Sequence, residues 1–168
     1  FQTTPFYGQW EKLTSKSSTV STDVGKSSFD IQFAASETKI LRRVCKYCGK
    51  EHKDVYYRRL TAFPSGTSVY DLLHTTWLSA GNTRGIDFQL YSNYKDAIAA
   101  TNAWSFCNYN DNGIGFPRDC GPNKLISHQW QSATRGGQRE WTWFVDTSTL
   151  VESQSGLNQN VCDNAQCS

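Results

Sequence analysis

Apolar and polar residues alternate with a period of two in several short runs of this chain, and that alternation predicts most of its elements. The clearest run is 139–146, where Trp141, Trp143 and Val145 interleave with Glu140, Thr142, Phe144 and Asp146. Such spacing belongs to a strand with two unlike faces. Residues 54–61 repeat it, with Val55, Tyr57 and Arg59 set against Tyr56, Arg58 and Leu60. Further strands are predicted at Phe29–Ile31–Phe33, at 40–44, at Ile86–Phe88–Leu90, at Trp104–Phe106 and at 125–130. Two stretches follow another period. Val69, Leu72, Leu73 and Thr76 have helical spacing, and Asn93 with Asp96 three residues on forms an N-cap that opens a helix reaching about Thr101. The Ser/Thr/Lys-rich segment 14–28 reads as a loop or a solvated edge strand. Turns are set by Pro64-Ser65-Gly66, Ala80-Gly81-Asn82 and Arg135-Gly136-Gly137. About eight short strands with one or two short helices predict an all-β fold, an antiparallel, jelly-roll-like β-sandwich. One domain is expected over residues 1–168.

Composition narrows the class. A chain of 168 residues is long enough to bury a core, and 14% aromatic against 19% charged residues suits a β-rich domain. The net charge of +2 is scattered, so nucleic acid is not an expected partner. No apolar run approaches the roughly 18 residues of a membrane span. The chain has no Met and begins with Phe1, which suggests a processed mature protein or an excised module of a larger one. Six cysteines point to an oxidising, extracellular setting and a secreted, disulfide-stapled protein. Nearest-neighbour pairing gives Cys45–Cys48, Cys107–Cys120 and Cys162–Cys167. Alternatively, Cys45 and Cys48 cross to Cys162 and Cys167, or those four hold zinc.

The stretch 104–122 carries the main functional expectation. Between Cys107 and Cys120 lie Asn108, Asn110, Asp111, Asn112, Gly113 and Gly115, residues that favour turns, followed by Phe116, Pro117, Arg118 and Asp119. A stapled polar loop flanked by aromatics is a way for a rigid scaffold to present a binding surface. Sugars need a flat apolar face for their C–H side and forked polar groups for their hydroxyls. The expected glycan- or polysaccharide-binding residues are Trp77, Tyr109, Asn110, Asp111, Arg118, Asp119 and Trp130, which makes the chain a lectin or carbohydrate-binding module. Trp10, Trp104 and Trp141 are expected in the core, leaving Trp77, Trp130 or Trp143 exposed. Arg118 and Asp119 also suit an internal ion pair that fixes the loop. Alternating oxygen donors at Asn108, Asn110 and Asn112, with Asp111 beside them, form a calcium-loop fragment. Calcium at Asn108, Asn110 and Asp111 is therefore a possible cofactor.

Two other readings stand beside this one. Gly8-Gln9-Trp10 resembles the Gly-X-Trp at the start of a lipocalin, and that resemblance implies a closed barrel carrying a small apolar ligand. A secreted hydrolase would use His74 or His128 with a carboxylate such as Asp87, Asp111, Asp119 or Glu140. No nucleophile elbow, zinc-protease helix or phosphate loop supports it.

Overall fold

A computed structural model of the chain describes residues 8–150. Six strands form one antiparallel sheet: β1 (Trp10–Lys16), β2 (Thr22–Asp23), β3 (Ile40–Val44), β4 (Asp54–Arg59), β5 (Phe88–Tyr91) and β6 (Trp141–Asp146), the last three from the period-two runs. They lie in the order β2-β1-β6-β3-β4-β5. Helices α1 (Lys26–Ala35), α2 (Val69–His74) and α3 (Tyr94–Ala99) complete the regular elements, with a 3₁₀ turn at Lys50–His52.

The alternation along β4 and β6 decides which side is which. Val55 and Tyr57, with Trp143 and Val145, face a large core that also holds Leu13, Leu41, Phe88 and Leu90. Against them pack Phe29 and Phe33 of α1, Leu72 and Leu73 of α2, and Trp77, Trp104 and Phe116 from the connecting segments. The opposite face carries a smaller cluster in which Ile40, Tyr56 and Tyr91 meet Tyr94 and Ala97 of α3. Helices and loops thus form the second layer, where two packed sheets were expected. β2 and β5 lie at opposite edges, so among the described residues the sheet is open and the lipocalin-like barrel is not formed.

Three predicted strands are replaced. Residues 26–35 are helical because Phe29 and Phe33, four apart, both point to the core while Ile31 between them is 65% exposed. Residues 125–130 and 104–106 run as extended loop, with isolated bridges at Phe106–Gly121 and Gln131–Gly137. β1 begins ahead of the Ser/Thr/Lys-rich segment 14–28 and runs into it, and β2 inside that segment is an exposed edge strand, one of the two forms expected there. The two predicted helices are present, and Asn93 caps α3 by accepting from the Asp96 N–H at 2.8 Å. Asn93→Ala is expected to destabilise the protein by about 1 kcal/mol, read from the urea midpoint.

Candidate functional site

Cys107–Cys120 and Cys45–Cys48 are bonded as nearest neighbours, which removes the crossed pairing and leaves neither Cys45 nor Cys48 a free thiolate for zinc. Cys162 and Cys167 lie outside the described residues. The hoop closed by Cys107–Cys120 turns inward. Asn110 donates its N–H to Trp77 O at 2.8 Å, Ile114 O accepts from Trp77 N at 2.8 Å, and Phe116 N donates to Leu73 O at 2.9 Å. Ile114 and Phe116 are buried at 4% and 0% exposure. Gly115 is required at this close approach, because a Cβ there would sit 2.5 Å from the Leu73 carbonyl oxygen.

That packing corrects the expected ligand surface. Trp77 is fully buried, as are Trp143 and Trp104. An indole at 0% exposure cannot cover a sugar. Tyr109 stacks on Trp77 with ring centroids 5.9 Å apart, and its hydroxyl accepts from Arg84 N. Arg118 joins Asp111 and Asp119, the latter at 2.8 Å, so it pins the hoop as an internal ion pair. Asn110 is tied to Ser79, whose N–H donates to Asn110 Oδ1 at 2.9 Å. Asn108 Oδ1 accepts from Asp119 N, and Asp111 is held by Arg118, so the three residues expected at calcium direct oxygens to separate protein donors. Trp130 is half-buried, against Gly137. The hoop's polar side chains thus stiffen the hoop itself.

Rings and polar groups converge instead at the β1–β2 end. Asp23 and Thr22 pair with Thr14 and Ser15 across the two strands, and Trp141 pairs with Lys16 at the start of β6. Helix α2 places Tyr70 and His74 one turn apart, with rings stacked at 4.3 Å and 20°. Trp141 meets His74 edge-on at 5.2 Å. Together these residues line a groove of about 300 Å³, with His74 and Thr14 as its floor. The Tyr70 hydroxyl donates to Asp23 Oδ2 at 2.7 Å, and Ser15 and Thr22 hydroxyls meet at 2.8 Å. Burial, helped by the bond to Asp23, pushes the Tyr70 phenol up to about 12.

His74 serves as structure in this groove. Its Nδ1 lies 2.8 Å from Tyr70 O and its Nε2 3.0 Å from Thr14 Oγ1. Nδ1 therefore carries the proton, and Nε2 accepts from the hydroxyl. Burial lowers its pKa, so the ring is neutral at pH 7. A hydroxyl beside a neutral imidazole is the start of a nucleophile pair. Here, however, Thr14 is 1% exposed and a carbonyl, not a carboxylate, orients the ring. His128 is exposed and bonds Ser127, so neither histidine meets the hydrolase expectation.

Among the described residues no group of three or more His, Cys, Asp or Glu is placed to hold a metal, and no helix is long and apolar enough to cross a membrane. The groove was hidden from sequence reading because Asp23, Tyr70 and Trp141 come from three distant segments. Its one local signal was the four-residue spacing of Tyr70 and His74, which stacks two rings on one helix face. No protein-family profile, curated protein or solved structure matches the chain.

Proposed function

We propose that the protein is a secreted glycan-binding module whose site is the groove between Tyr70 and Trp141 rather than the stapled hoop. The carrying observation is the meeting of two half-buried aromatic rings with the carboxylate of Asp23 and the hydroxyls of Ser15 and Thr22 in one concavity. Rings cover the C–H face of a pyranose, and Asp23 retains lone pairs beyond those used by Tyr70 and Gly25 N. Pre-paired hydroxyls hold their geometry before a sugar arrives, which lowers the ordering cost of binding. Two disulfides accord with an extracellular setting.

The test is a glycan array, with and without calcium chelator, followed by calorimetry on the best ligand. Trp141→Ala and Asp23→Asn are each expected to weaken binding roughly tenfold or more, the loss from a stacking ring or a charged hydrogen bond. Trp130→Ala should leave it unchanged. The reverse pattern would move the site to the segment around Trp130, and an array with no hits would end the glycan reading.

A further inference from the structure

A second concavity, of about 320 Å³, lies where the end of α1 meets the segment 59–69. Phe33, Ala34, Ala62, Phe63 and Val69 form its apolar walls. Phe33 and Phe63 meet edge-on at 5.9 Å, and the Arg59 guanidinium lies 3.7 Å from the Phe63 ring centre. Concavities of this size, mostly apolar with a few fixed polar groups, are the usual form of small-molecule sites.

The polar groups around it are unevenly committed. Arg59 donates to Thr61 O, Tyr57 Oη, Asn82 Oδ1, Ala62 O and Gly81 O, which uses all five of its N–H groups. It is a fixed cation with no donor left for a ligand. Lys39 Nζ donates to Ala34 O and to Ser36 O at 2.7 Å. An ammonium has three N–H groups, so one remains. Asp30 is the carboxylate of the lining, and its Oδ1 accepts from Tyr70 N at 2.9 Å. Two cations against one carboxylate leave the concavity positive.

We propose that this concavity binds a small molecule with a flat apolar body and one carboxylate, an arenecarboxylate, whose oxygen takes the remaining Lys39 N–H. The rings of Phe33 and Phe63 meet its body, and the fixed charge of Arg59 favours an anion without bonding it. This site is separate from the glycan groove and stands or falls independently of it.

The experiment titrates 2-naphthoate and its neutral isostere 2-naphthamide into the full chain by calorimetry. Wild type is expected to bind naphthoate saturably at one site, with naphthamide roughly tenfold weaker for want of the charge-assisted bond. Lys39→Met should bring naphthoate down to the naphthamide level. Ala34→Trp, at an exposed wall position, should abolish both while leaving the far-UV spectrum and the melting temperature unchanged. Equal affinity for the two probes, binding that survives Ala34→Trp, or no saturable binding at millimolar naphthoate would each overturn the proposal.

Discussion

Replacing Trp77 with alanine is expected to destabilise the protein by about 3–5 kcal/mol, the cost of removing a large ring from a site that cannot collapse around it. The residue is at 0% exposure. Its ring is enclosed by Tyr57 at 6.0 Å, Phe88 at 5.2 Å, Phe116 at 5.0 Å and Tyr109 at 5.9 Å. These neighbours come from β4, β5 and the stapled hoop, so the indole joins the hoop to the sheet. Its indole N–H has no hydrogen-bond partner among the described residues. Trp77→Phe should therefore cost much less than Trp77→Ala, since it deletes an unpaired polar atom along with some volume. Urea unfolding followed by fluorescence gives both values. A loss below about 1 kcal/mol for alanine would mean that the hoop does not lean on this ring. Hydrogen exchange at the Asn110 amide, bonded to Trp77 O, should accelerate in the alanine variant.

Acid is expected to remove about 2 kcal/mol of stability between pH 6.5 and 4.5 through His52. The ring is fully buried, lies 5.0 Å from Trp104, and neither nitrogen has a hydrogen-bond partner among the described residues. Burial, and then the nearby Arg43 cation, lower its pKa to about 3; the Cys120 backbone pulls weakly the other way without reaching hydrogen-bond geometry. Arg43 is itself fully buried and is answered by carbonyls, Phe116 O at 3.2 Å and Gln129 O at 2.8 Å. A protonated His52 would add a second buried cation.

The sign follows from the depressed pKa. Above about pH 6.5 the ring is neutral in both states, and it contributes no pH dependence there. As pH falls toward 3, the unfolded chain takes up a proton that the folded chain refuses, and stability is lost. Ordinary carboxylates titrate mostly below this window. His52→Phe, which keeps a ring against Trp104, should reduce the slope between pH 6.5 and 4.5, the remainder belonging to His74, whose pKa burial also lowers. An unaltered slope in that variant would assign acid sensitivity to other groups.

Most of the sheet was legible in the sequence. β4, β5 and β6 each carry a period of two, and β3 is the run Ile40–Val44, apolar at both ends. α1 was misread because Phe29, Ile31 and Phe33 satisfy the strand period, while Phe29 and Phe33 alone satisfy the helical one. Only the exposure of Ile31 separates the two, and exposure depends on tertiary packing. The hoop was found and its bridge was paired as expected, yet its orientation was missed. Its many Asn and Gly residues suit a solvent-facing turn, whereas the run Ile114, Gly115 and Phe116 fixes it inward. The groove had only the Tyr70/His74 spacing as a signal, since Asp23, Tyr70 and Trp141 come to line one concavity only on folding.

The outer margin of β5 bears on how a partner could approach. Its Phe88 and Leu90 carbonyls already accept from Gly85 N and Trp104 N, each at 2.8 Å. A visiting peptide in extended form would find those acceptors taken and could not lengthen the sheet there. Lateral stacking of one molecule on the next is hindered at that border for the same reason. Whatever this protein recognises on that side must be gripped by side chains, not by its backbone.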